Sequence, residues 1–203
     1  TQPYGTVPVT AVVTSATSGN SSPAASVNVV WGYDMPMDNL ASLSAGFAIN
    51  GRVASDKSGY QTQNNGVVNL GDVNGDGYDD FSLVEIAAGT RYVVYGRPGL
   101  TTVELSTLTT VGNTNGFIIN GGNWYNTTAG DYNGDGLNDI VHHFGTTSSY
   151  VVLGTTSSSG AINITNMAAS QGFKITSAAN VVSPTFIGDV NGDGLDDMMV
   201  TYE

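Results

Sequence analysis

Residues 71–80 read "GDVNGDGYDD", and the string returns as "GDYNGDGLND" at 130–139 and as "GDVNGDGLDD" at 188–197. The first Asp of each copy falls at Asp72, Asp131 and Asp189, spacings of 59 and 58 residues. Self-similarity at a fixed period means one supersecondary unit used several times, so this string decides the fold before any single strand is assigned. Two further series keep the same phase. "VNVVWG" (27–32), "RYVVYG" (91–96) and "SYVVLG" (149–154) form one, and "GFAING" (46–51), "GFIING" (116–121) and "GFKIT" (172–176) form the other.

Each unit therefore contains a β-branched run ending in Gly, a polar loop, a short "GF" strand, the acidic loop and a closing apolar run. The closing runs are "FSLVEI", "IVHHF" and "MMVTY". Short Val-, Ile- and aromatic-rich runs bounded by Gly, Asn and Ser are strand signatures. Helical periodicity is confined to "NLASLSAGF". The expected fold is all-β, with units of propeller-blade type. Its boundaries are a Ser/Thr/Pro-rich segment or linker at 1–26, in which "TVPVTAVVT" could form an extra strand, followed by repeats at about 27–90, 91–148 and 149–203.

The acidic loop has the spacing Asp-x-Asn-x-Asp-Gly-x-x-Asp in every copy. A hard cation such as Ca²⁺ takes about 6–8 oxygen ligands from a flexible, wrapped loop. Alternate positions 1, 3 and 5 offer Asp72, Asn74 and Asp76 to one centre. Gly77 permits the positive φ that swings the chain around it. The Tyr78 carbonyl and Asp80 then complete the set. An EF-hand would need a Glu at position 12 and a helix after it. Position 12 is instead Leu83, His142 and Val200, inside the apolar runs.

A nine-residue loop of this kind, preceded by Gly and followed by a strand, resembles the FG-GAP repeat of integrin α-subunit propellers and their bacterial extracellular relatives, over about residues 29–203. The resemblance implies three Ca²⁺ ions. Their ligands would be Asp72, Asn74, Asp76, the Tyr78 carbonyl and Asp80; Asp131, Asn133, Asp135, the Leu137 carbonyl and Asp139; and Asp189, Asn191, Asp193, the Leu195 carbonyl and Asp197. Asn65-Gly66 stands where the family's Phe-Gly falls before the first loop, and "VEIAAG", "HHFG" and "TYE" replace its Gly-Ala-Pro.

Charge agrees with a local rather than a global role for the acids. Of 17 Asp and Glu, eleven lie in the three loops, leaving six acids against five Lys and Arg elsewhere in a chain of net charge −12. So few basic residues exclude a phosphate-binding footprint, and with it nucleic acid. With no Cys there is neither a disulfide framework nor a thiolate metal site. No apolar run has the length of a membrane span. The low Lys content and abundant Thr, Ser and Asn suggest an extracellular or cell-surface protein, and the start at Thr1 without a signal-like segment suggests a mature product or excised piece.

No catalytic residue is nominated. The adjacent pairs Asp79-Asp80 and Asp196-Asp197 invite a two-carboxylate reading, but position 8 is Asn138 in the middle copy. His142 and His143 occur in one repeat only, without a third ligand nearby in sequence. Trp31 aligns with Tyr95 and Leu153 and is expected in the core. Trp124 and Tyr125 lie in an expected loop before the second acidic string and are weak candidates for stacking on a sugar or anchoring a protein.

These readings converge on a calcium-stabilised extracellular module for adhesion or for recognition of a protein or carbohydrate ligand, not an enzyme. The alternatives are an accessory or catalytic domain of a secreted hydrolase, or an assembly domain of a larger surface protein. Propellers close with about 4–8 blades. Three units therefore suggest either a longer chain or a homodimer in which complementary ends of two copies combine.

Overall fold

Val, Ile, Tyr and Phe gather in runs of three to seven residues punctuated by Gly, Asn and Asp, and in the computed structural model these runs are strands. The structure describes residues 7–11, 25–29, 47–53, 58–59, 66–85, 88–98, 102–121, 124–144, 148–177 and 181–202. The strands are β1 (Val7–Ala11), β2 (Ala25–Val29), β3 (Ala48–Asn50), β4 (Val67–Gly71), β5 (Asp80–Glu85), β6 (Thr90–Val94), β7 (Thr102–Glu104) and β8 (Gly116–Asn120). They continue as β9 (Trp124–Gly130), β10 (Asp139–Phe144), β11 (Ser148–Val152), β12 (Ala161–Asn163), β13 (Gly172–Thr176), β14 (Val181–Phe186) and β15 (Met198–Tyr202). Among the described residues, helix is confined to 3-10 turns at Leu105–Thr107 and Ile164–Asn166. The fold is all-β.

The chain forms two compact units, Thr1–Lys57 with Pro98–Ser106 and Ser58–Arg97 with Thr107–Glu203. In the first, β1 pairs antiparallel with β2, from Val7 opposite Val29 to Ala11 opposite Ala25. "TVPVTAVVT" thus does supply a strand. β3 pairs in parallel with β7, Ile49 opposite Val103. Trp31 and most of "NLASLSAGF" lie outside the described residues.

The second unit carries all three acidic loops. One sheet has the order β12-β8-β6-β5-β4, an antiparallel meander with β12 added in parallel at its end. A second meander has the order β13-β11-β10-β9. β14 and β15 form an antiparallel hairpin. Each acidic loop is the connection between the first two strands of its sheet: β4 to β5, β9 to β10, and β14 to β15.

Period-two alternation stacks these three sheets. Successive side chains of a strand point to opposite faces. In β10 and β11, Ile140, Tyr150 and Val152 join Val93, Phe117 and Ile119 of the first meander in one buried cluster. The intervening Val141 and Val151 pack instead with Phe186, Leu153, Ile175 and Met198 on the hairpin side. Strands β10 and β11 are therefore buried on both faces, which is why "IVHHF" and "SYVVLG" read as continuous runs rather than as alternating ones.

The expected polar loop between the "YVVYG" and "GF" runs needs correction. It holds a three-residue strand and a 3-10 turn, β7 then Leu105–Thr107 and β12 then Ile164–Asn166. Each short strand lies parallel to the "GF" strand of the preceding repeat, β7 on β3 and β12 on β8. Three residues are too few to show a period.

Candidate metal centre

All three acidic loops wind in the same way. The position-6 glycines, Gly77, Gly136 and Gly194, have φ of 85°, 84° and 88°, a region that favours glycine. The position-1 carboxylate sits inside the turn and gathers backbone N–H groups. Asp72 Oδ1 accepts from Gly75 at 2.6 Å and Asp76 at 3.2 Å, while its Oδ2 accepts from Gly77 at 2.8 Å. Asp131 does the same for Gly134, Asp135 and Gly136, and Asp189 for Gly192, Asp193 and Gly194. The N–H groups of Gly194, Gly192 and Asp193 hold the Asp189 carboxyl below the usual carboxylate range.

Positions 3 and 5 continue the winding. The Asn Oδ1 accepts from the N–H of position 5 at 2.9 Å in each loop. The position-5 carboxylate accepts from the N–H of Tyr78, Leu137 and Leu195 at 3.0, 2.9 and 2.9 Å. Positions 1, 3 and 5 are thus brought together in every copy. Asn74 and Asn133 also donate Nδ2 to the position-5 carboxylate, at 3.0 and 2.9 Å.

Position 9 has a different environment. Asp80 and Asp139 are buried. Asp80 accepts from Val73 N at 2.9 Å and Gly96 N at 2.7 Å, and Asp139 from Tyr132 N at 3.1 Å and Gly154 N at 2.8 Å. Burial pushes each carboxyl up to about 6, against the lowering effect of those N–H donors. In the third loop Asp197 accepts from Val190 N, Asn191 N and Asn191 Nδ2. Among the described residues, no group of three or more Asp, Glu or His side chains stands close enough together to hold a metal. Acid, amide and acid at positions 1, 3 and 5 are nonetheless hard-cation donors on one wound loop. Their oxygens are not engaged by cations of the protein: among the described residues none of the eleven loop acids pairs with a Lys or Arg.

Two sets of functional residues escaped the sequence reading. The glycine that ends "YVVYG" and "YVVLG" is the donor to position 9, and a Cβ at Gly96 would lie 2.2 Å from the Asp79 carbonyl. Its recurrence was the available signal. Position 8 joins one loop to the preceding one. Asn138 donates its N–H to Asp72 O at 2.8 Å and its Nδ2 to Leu70 O at 2.8 Å. Asp196 donates its N–H to Asp131 O at 2.9 Å and accepts from Asp131 N at 2.9 Å. Small polar residues persist at that position in all three strings, which was the clue.

The remaining candidates are structural in placement. Trp124 and Tyr125 open strand β9, correcting the expected loop, with Trp124 opposite Phe144. His142 and His143 are buried in β10, and burial, Arg91 and His143 together push His142 well below the ordinary imidazole range. Their neighbours include Thr127 and Ser149. The chain matches no family model and no curated protein.

Proposed function

We propose that the chain is a calcium-stabilised β-repeat module of propeller type, extracellular or on a cell surface, working in adhesion or in recognition of a protein or carbohydrate ligand. The observation that carries this reading is the triple occurrence of one wound loop whose clustered acids have no cationic partner among the described residues. Like charges at this density repel unless something offsets them, and a divalent ion at each loop offsets two. Positions 1, 3 and 5 supply side-chain oxygens, position 7 a carbonyl, and position 9 or water the remainder. The ions act structurally, fixing the turns at one end of three stacked sheets. The sequence similarity to FG-GAP repeats supports the propeller arrangement and the recognition role.

Thermal unfolding with calcium and with chelator tests the metal reading. Sites occupied at about 100 times their Kd each add about 2.7 kcal/mol. The expected outcome is a midpoint lower by tens of degrees in chelator, restored by Ca²⁺. An unchanged midpoint defeats it.

A further inference from the structure

Each acidic loop carries an Asn-Gly pair at positions 3 and 4: Asn74-Gly75, Asn133-Gly134 and Asn191-Gly192. Such a pair readily loses its side-chain amide, because a glycine without Cβ leaves its backbone nitrogen unhindered for attack on the Asn Cγ. Attack forms the N–Cγ bond of a succinimide ring and breaks Cγ–Nδ2, and the amide leaves as ammonia with the proton of the Gly N–H. Water then opens the ring at either carbonyl, giving Asp or isoaspartate. The exchange of ammonia for water needs no oxidant, reductant or enzyme.

The loop has no freedom to place another residue at position 4. Gly75, Gly134 and Gly192 have φ of 80°, 75° and 80°, where any side chain is strained. Winding controls the pair instead. In every copy the attacking N–H is committed to Oδ1 of the position-1 carboxylate: Gly75 to Asp72 at 2.6 Å, Gly134 to Asp131 at 2.7 Å and Gly192 to Asp189 at 2.7 Å. A carboxylate at that distance also disfavours the deprotonated nitrogen that attacks. The amide under attack is held as well. The Asn Oδ1 accepts from the position-5 N–H at 2.9 Å in each loop. The Nδ2 of Asn74, Asn133 and Asn191 donates to Asp76, Asp135 and Asp197 at 3.0, 2.9 and 3.0 Å. All these partners lie within the same loop, so unwinding it releases them together.

We propose that Asn74, Asn133 and Asn191 are deamidation sites closed by the winding of their own loops and opened by local unwinding, so that a loop left unwound is altered covalently and does not rewind as before. Isoaspartate routes the main chain through the former side chain. The added methylene between positions 3 and 4 moves the N–H groups of positions 4, 5 and 6 off the position-1 carboxylate. Conversion to Asp instead places a further negative charge at position 3. The rate at each site follows the fraction of time its loop is open. The inference rests on hydrogen bonds within each loop and stands apart from whether the loops bind calcium.

Ageing the full chain in mildly alkaline buffer with chelator, followed by peptide mapping with mass spectrometry and an isoaspartate assay, tests it. The three sites are expected to convert at least about a hundredfold more slowly in the native protein than in the urea-unfolded chain. Asp131→Ala removes the acceptor of the second loop alone. Asn133 should then convert about ten- to a hundredfold faster, while Asn74 and Asn191 in the same molecules keep their rates and so report that the fold persists. Asp131→Asn, which returns an acceptor oxygen without the charge, should recover most of the protection. Asp72→Ala should move the effect to Asn74. An Asn133 rate unchanged by Asp131→Ala overturns the proposal. So does acceleration of all three sites together in both Ala variants, since the sites would then be closed by the fold as a whole and not loop by loop. Calcium titration of the parent chain reports separately on the metal reading.

Discussion

Asp80 and Asp139 show how one residue type serves two purposes within a nine-residue loop. Asp72 and Asp76 gather N–H groups at the solvent-facing turn, whereas Asp80 ties the loop to Gly96 from a buried position. Its cost is visible in protonation: burial raises the Asp80 and Asp139 carboxyls to about 6. A carboxyl whose folded pKa exceeds its unfolded value takes up protons on folding, so its contribution is favourable at low pH and is lost as pH rises through the folded pKa. In calcium-free buffer the unfolding free energy should therefore fall between about pH 4 and about pH 6, as urea titrations at each pH would show. Asp189 acts oppositely, because its N–H donors favour the charged form and that stability is lost only below the ordinary carboxylate range. Saturating calcium should flatten the slope, since a nearby divalent ion favours ionised carboxylates. A slope that rises with pH would contradict the assignment of these carboxyls as buried.

At the scale of elements, strands β10 and β11 lie between two packed neighbours, the first meander on one face and the hairpin on the other. Ile140 faces Val93, Phe117 and Ile119, and Val141 faces Phe186. Ile140→Ala should cost about 2–5 kcal/mol in chemical denaturation. Met199→Ala, at a half-exposed position of the hairpin, should cost under about 0.5 kcal/mol. Equal costs would mean that the sheets are not stacked as described. Most of these strands were legible beforehand, because β-branched runs and flanking glycines repeat in phase. β7 and β12 were not, because three residues cannot display a period and their partners lie in another repeat. Trp124 and Tyr125 were misplaced for a related reason: the polar "NTT" that follows them hides a seven-residue strand whose register is set by β10. Loop winding was legible from the Asp and Gly positions. The inter-loop role of Asn138 and Asp196 was not, since no spacing within one repeat encodes a bond to the next.

For the whole second unit, cohesion comes from two apolar interfaces and two polar junctions acting in series. The hairpin β14–β15 is the terminal member, held by Phe186 and Met198 against the second meander and by Asp196 against Asp131. Removing one hydrogen-bonding carboxylate from a partly buried site costs about 1–3 kcal/mol when its N–H partner is left unsatisfied. Asp196→Ala should therefore loosen the hairpin before it loosens anything else. Asn138→Ala removes the equivalent tie between the first two loops, but there the broad cluster around Phe117 and Ile140 persists. Native-state hydrogen exchange separates the two cases. Local opening of cooperative units is read residue by residue. In Asp196→Ala, amides of 181–186 and 198–202 should exchange faster by about ten- to a hundredfold, while those of β6 and β8 stay protected; 1.4 kcal/mol corresponds to a factor of ten. In Asn138→Ala the opening free energy should fall across both meanders together, because the lost tie joins the two and their shared apolar cluster keeps them opening as one. If instead Asp196→Ala accelerated exchange uniformly through β6, β8 and β11, the hairpin would belong to the same cooperative unit as the meanders, and the Asp196 tie would be holding the whole stack rather than one member of it.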